Sequence, residues 1–269
     1  MSNVRTMPGT AETHDPPKQT LDVIFPDEWA GLEPPPRRWV VEDMLPAGKV
    51  TLFSGDGGLG KSLLCQQLQS CAAFGVPWLG ANTKGCRTLG IYCEDEADEL
   101  QRRQKAIMRD LGRDHEDLDL NMAVISRSGF DNTLAVPADG TMTPTQFFEQ
   151  VKATIADLGA ELVILDPSVD LYGGDENDRH EVRGFMQLLA GMAQDTGAAV
   201  LLTAHPSKSG KATGDGYSGS TDWHNAVRSR LYLTAAGEDD QGDRILTTPK
   251  ANYGPGDGRV ELVWQDGVF

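Results

Sequence analysis

The sequence predicts an α/β fold, a mainly parallel sheet flanked by helices and continued by an antiparallel strand extension near its C-terminal end. Three observations carry that reading. Short apolar runs alternate with amphipathic stretches between residues 49 and 204, a pattern in which helices cross over between parallel strands. The run LVIL at 162–165 is apolar without alternation, as in a strand buried on both faces. The last forty residues or so change character: SRLYLTAA, DRILTTPK and RVELVW are separated by GEDDQG and GPGDG, which read as turns between antiparallel strands.

Taken in order, residues 1–36 mix Thr, Asp, Glu and Pro with DPP and EPPP. Such a composition buries too little apolar area to offset its ordering entropy, so a flexible, Pro-rich N-terminal arm is expected, with the folded domain occupying 37–269. KVTLFS (49–54) reads as a strand, a glycine-rich segment follows, and KSLLCQQLQSCAAF (61–74) reads as a helix. RTLGIYC (87–93) is the next strand, before a charged helix whose Leu100, Ile107, Met108 and Leu111 share one face. A second amphipathic helix carries Phe147, Phe148, Val151, Ile155 and Leu158 and leads into the strand 161–166. A third, over 178–196, places Val182, Phe185, Met186 and Leu189 in register before the strand AAVLLTA at 198–204. No internal repeat is found.

The 269 residues, 39% hydrophobic, suffice for one sizeable core. Lys and Arg number 24 against 40 Asp and Glu, a formal charge of -16, so the surface as a whole repels polyanions and anionic membranes, and any nucleic-acid site must be local. Cys65, Cys71, Cys86 and Cys93 form no CxxC pair and lack histidines at ligand spacing, which argues against a zinc site or a disulfide framework. No stretch approaches the roughly 20 apolar residues a membrane span needs, and the N-terminus has no signal-peptide core. A cytoplasmic protein without membrane attachment is expected.

Between the first strand and first helix, GDGGLGKS (55–62) satisfies G-x-x-x-x-G-K-[ST] in the strand–loop–helix context that the pattern requires. Glycines without Cβ atoms let backbone N–H groups curl around phosphate oxygens, and the helix N-terminus adds its partial positive charge. Gly55, Asp56, Gly57, Gly58, Leu59, Gly60, Lys61 and Ser62, with Leu63 opening the helix, form the expected ATP-binding set. Lys61 would reach the β and γ phosphates, and Ser62 would give a neutral oxygen to Mg²⁺. Asp166 ends the most apolar strand, the Walker B position, and is the second expected metal-site residue. Glu94, in YCEDE at the end of another strand, is the candidate to orient or deprotonate water, with Asp95 and Glu96 as rivals or helix caps. His205, just past the strand 198–204, could sense the γ-phosphate or serve as a hydrogen-bonded structural histidine.

The set GDGGLGKS, YCEDE, LVILDP, GDENDR, TAHPSK, NAVRSRLYL and PKANYGP resembles the RecA-like P-loop ATPases, in particular the hexameric plasmid replicative helicases of the RepA type and related phage and plasmid proteins. The resemblance covers roughly residues 38 to 265. It implies a RecA-type core with nucleotide between subunits of a homo-oligomeric ring, usually six. It matches Glu94 to the water-activating glutamate, Arg228 to an arginine donated by the neighbour, with Arg230 as rival, and Lys250 to a second trans-acting cation. DnaB-type helicases carry an arginine two residues after the matching lysine, where this chain has Asn252; that puts more of the role on Arg228. The resemblance also implies two loops facing the ring's channel, about 171–183 and 206–217. These offer Arg179, and Lys208 with Lys211, as candidates to follow single-stranded DNA.

Two functions remain open at this level, with a third less suited. The first is an ATP-driven motor on single-stranded DNA, a replicative or recombination-type helicase served by a separate loader and primase. The second is a RecA-like regulatory or assembly ATPase acting on protein partners. A P-loop kinase lacks an Arg-rich lid and leaves Glu94, Arg228 and Lys250 without a joint role.

Overall fold

The computed structural model describes residues 23–205, 222–237 and 242–269. The chain divides into Met1–Pro36 and Arg37–Phe269. Among the described residues of the first unit, a 3-10 turn over Pro26–Trp29 begins on proline, whose missing N–H is tolerated at a first helical position.

In Arg37–Phe269 the strands are β1 (Trp39–Val41), β2 (Leu45–Pro46), β3 (Val50–Gly55), β4 (Thr88–Tyr92), β5 (Met122–Ser126), β6 (Ala135–Ala138), β7 (Thr141–Pro144), β8 (Leu162–Asp166), β9 (Ala199–Ala204), β10 (Ser229–Ala235), β11 (Arg244–Ala251) and β12 (Gly258–Leu262). The helices are α1 (Lys61–Phe74), α2 (Ala97–Leu111), α3 (Gln146–Leu158), α4 (Ser168–Leu171), α5 (Arg179–Thr196) and α6 (Asp222–Asn225). An eight-stranded sheet runs β12-β11-β10-β3-β9-β8-β4-β5. The neighbours from β10 to β5 are parallel, and β11 and β12 are antiparallel. This is an α/β P-loop NTPase core.

Two-sided burial explains the even hydrophobicity of the central strands. Along β8, Val163 and Leu165 face a cluster with Phe148, Ile155, Phe185 and Leu189 of α3 and α5. Leu162 and Ile164 face the opposite cluster, with Leu64 and Leu68 of α1. Successive side chains point to opposite faces, so every position is apolar when helices cover both.

Helix α1 is buried almost all round, including Gln66, Gln69 and Ser70, and its polar side chains form a hydrogen-bonded seam with α2. Gln66 Nε2 donates to Leu100 O at 2.8 Å and Gln104 Oε1 at 2.9 Å, and Gln104 Nε2 donates to Ser70 Oγ at 2.9 Å. Tyr92 Oη donates to Gln69 Oε1 at 2.7 Å. Buried networks of this kind hold packed elements together, and this one ties α2 to the middle of α1 while Gln66 Oε1 stays without a partner.

The extension differs from its expected form in one respect. SRLYLTA is β10, paired parallel with β3, so the antiparallel part begins only at β11. The edge strand β5 and the hairpins β1–β2 and β6–β7 are additions to the sequence reading.

Candidate nucleotide site

Strand β3 delivers the glycine loop to the C-terminal edge of the parallel sheet, where open α/β sheets bind ligands. A Cβ on Gly55 would lie 2.7 Å from Leu233 O of the adjacent β10, so the strand pair leaves no room for a side chain there. Gly60 sits at φ 94, in the left-handed region, which turns the chain into α1 and is reached readily only by glycine. Around Gly58 a Cβ would meet nothing within 4 Å. The loop therefore presents open backbone of the kind that accommodates phosphate oxygens.

Lys61 is the first residue of α1, and its ammonium is held at the loop's mouth. Nζ donates to Gly55 O at 2.7 Å and Asp56 O at 3.0 Å, and lies 3.4 Å from His205 Nδ1. Burial pushes its pKa down, opposed by the charge of Asp166. Asp166, at the end of β8, is buried, and its carboxylate accepts hydrogen bonds from the hydroxyls of Ser62 and Thr203. Burial raises its pKa against those two bonds.

Ser62 and Asp166 thus bring one hydroxyl and one carboxylate into contact at the phosphate loop. Among the described residues no group of three or more His, Cys, Asp or Glu could hold a metal alone. Two hard oxygen donors fit Mg²⁺, which keeps several waters and takes its other ligands from phosphates.

Three carboxylates follow β4, and their surroundings separate them. Asp95 is bound bidentately by Arg103, at 2.5 and 2.8 Å. Glu96 is the N-cap of α2, its carbonyl accepting from Leu100 N at 3.1 Å. Glu94 opens onto the cavity with Lys61 and Asp166. Its pKa is raised, first by desolvation and then by the charges of Asp166, Asp170 and Asp95. The cavity, about 750 Å³, continues from Gly58–Leu63, Glu94 and His205 to Arg103 and Ala106 of α2 and to Arg244, Trp264 and Phe269.

Arg228, Arg230 and Lys250 lie elsewhere. Ser229 pairs with Thr51, whereas the phosphate loop follows Gly55, which separates Arg228 from its own loop by about 13 Å of strand. Arg230 is buried, with Nη2 3.5 Å from Ser54 Oγ, while Arg228 is exposed. Lys250, register partner of Arg230, donates to His224 O at 2.8 Å. Burial lowers the Lys250 pKa, followed by repulsion from Arg228 and Arg230. Burial and the cations Arg230 and Lys250 push His224 down to about 3.

Arg179, 70% exposed, forms an ion pair with Asp222, its Nε 3.0 Å from Oδ2. Lys208 and Lys211 lie outside the described residues. Sequence reasoning missed Arg103, Arg244, Trp264 and Phe269 as cavity-wall residues. The signal for the last two was WQDGVF: Gln265 and Val268 exchange backbone hydrogen bonds at 3.0 Å, and an Asp-Gly turn sets the residues flanking it face to face.

Fold, phosphate loop and the Ser62–Asp166 pair define a P-loop ATPase, a class whose members generally bind ATP and Mg²⁺. Residues 14–211 match the AAA domain family, and the chain belongs to that family. No curated protein matches it. No helix among the described residues is long and apolar enough to cross a membrane.

Proposed function

We propose that this chain is one subunit of an ATP-hydrolysing ring motor, six copies by its resemblance to RepA-type helicases, that acts on single-stranded DNA. The observation that carries the ring is the placement of Arg228 and Lys250 at the end of β10–β11 remote from their own phosphate loop. Cations held there can serve a nucleotide only on an adjacent copy. Lys61 and the loop amides bind the triphosphate, and Ser62 and Asp166 hold Mg²⁺, which screens the phosphate oxygens when bound. Glu94 takes a proton from the attacking water and His205, beside Lys61, responds to the γ-phosphate. Arg228 and Lys250 of the neighbour steady the charge that develops on the phosphates. Lys61→Ala tests the foundation: ATP binding and turnover should be lost, and a variant that bound and split ATP like the parent would refute it.

A second reading, an ATPase acting on protein partners, is favoured by one observation. Arg179 is engaged by Asp222 and stands among Asp175, Glu176, Asp178 and Glu181 in a chain of charge -16. Turnover measured with and without single-stranded DNA decides between them. The motor reading requires stimulation that is lost when Lys208 and Lys211 become alanine; no stimulation favours the protein-directed ATPase.

A further inference from the structure

We infer that Trp264 and Phe269 form the nucleobase subsite of this cavity, so that the segment after β12 grips the heterocycle while the loop after β3 grips the phosphates. The inference rests on the nucleotide reading of the cavity. Both rings line the same cavity as Lys61 and Ser62, with centroids 5.1 Å apart and planes at 68°. A planar base can stack on one ring face while meeting the edge of the other, an arrangement aromatic quadrupoles favour.

The position of Phe269 is built into the phosphate site. A Cβ on Gly60 would lie 2.6 Å from Phe269 Cε2, so the ring rests directly on the glycine before Lys61. Gln67 of α1 clasps the backbone of Phe269 from both sides, Nε2 donating to its carbonyl at 3.0 Å and Oε1 accepting from its N–H at 3.4 Å. Gln67 is six residues along α1 from Lys61, about 9 Å, the reach of a ribose and its base. Val268 packs with Leu63 and Ile107 beneath.

Trp264 is 43% exposed although it is the largest apolar side chain in the wall. Its backbone N–H is fixed on Asp243 Oδ1 at 3.2 Å. Arg103, which lines the same cavity, is held by Asp95 and Glu99. A cavity lined by a partly uncovered aromatic pair and a held guanidinium suits a flat, polar-edged ligand.

The test titrates the full chain with ATPγS and, separately, with inorganic tripolyphosphate, by calorimetry. Trp264→Ala and Phe269→Ala should each weaken ATPγS by roughly 5- to 100-fold and leave tripolyphosphate unchanged. Phe269→Leu keeps an apolar contact on Gly60 without a π face and should bind ATPγS as weakly as the alanine variant. Unchanged ATPγS affinity in Trp264→Ala and Phe269→Ala would overturn the assignment. So would an equal loss of tripolyphosphate, or full recovery with leucine, since either makes the rings supports for the loop. Lys61→Ala is the separate control: if it retained both ligands, the nucleotide reading of the cavity would fail, whatever the aromatic variants did.

Discussion

The two ends of the β3–β10 strand pair carry opposite chemistry. At one end stand the glycine loop, Glu94 and Asp166; at the other stand Arg228 and Lys250, on either side of the register pair Ser229–Ala251. The first end needs positive charge when a triphosphate arrives, and at the second burial, then the neighbouring cations, lower the pKa of Lys250 and of the buried His224. The phosphate end has cations of its own, Lys61, Arg103 and Arg244, and those of the far end lie out of its reach along the strands. A rigid sheet cannot fold one end onto the other, so in the proposed ring an adjacent copy supplies those cations.

The most severe way to break this comparison is to remove the exposed cation. Arg228→Ala should lower ATP turnover by roughly 10³-fold, the low end of what an arginine donated to a phosphoryl-transfer site supplies, with nucleotide binding largely kept. Mixed with the Lys61→Ala chain, it should regain part of the turnover, because a ring then contains interfaces with an intact loop on one side and an intact arginine on the other. Two inert proteins that stay inert when mixed would place Arg228 outside the reaction. Arg230→Lys separates the rival, since a buried side chain near Ser54 should affect stability before turnover.

At the phosphate end, Glu94→Gln should lower turnover by roughly 10² to 10³-fold, as expected for loss of a positioned base, and leave ATP affinity near its parent value. The pH profile sharpens the point. The proposed role requires Glu94 deprotonated, and its pKa lies above the ordinary carboxylate value. Turnover should fall as pH drops through that raised pKa and reach a plateau above it. Asp170 is one of the charges holding the pKa up, so Asp170→Asn should move the acidic limb to lower pH by a few-fold in proton concentration while the plateau stays. A limb that ignores both substitutions would belong to another group.

Legibility from sequence follows the same division between ends. The phosphate loop was readable because its chemistry lies in eight consecutive residues, 55–62. The strand β8 was readable because burial on both faces removes polar positions. Strand β5 escaped notice because it is a sheet edge whose residues are half-buried and whose Val124 is exposed, so no clean pattern survives. Helix α1 carries buried glutamines explained by tertiary hydrogen bonds, Gln66 to α2, Gln67 to Phe269 and Gln69 to Tyr92. Arg103, Trp264 and Phe269 reach the cavity wall through tertiary packing: Gln67 and Phe269 are 202 positions apart, and no local spacing encodes such a meeting. The separation of Arg228 from its own loop likewise needed the parallel register of β10, which SRLYLTA alone suggested as antiparallel.

The smallest effect concerns Arg179 and Asp222. The Arg179 end of their ion pair is solvent-exposed, with Asp222 14% exposed, so salt screens it in part and it holds little of the fold; Arg179→Ala should leave thermal stability and DNA-independent turnover unchanged. Its value lies in the charge that Arg179 offers at the surface. While Asp222 neutralises Arg179, the pair offers DNA no net cation. Asp222→Asn would release that charge, and one more phosphate contact on single-stranded DNA steepens the dependence of log affinity on log salt by about 0.7. Fluorescence anisotropy of a labelled oligonucleotide across a salt series should show that steeper slope and tighter binding at low salt for Asp222→Asn, with the reverse for Arg179→Ala. If neither substitution changes the slope, DNA does not pass this surface, and the acidic residues around Arg179 belong to a protein-facing site instead.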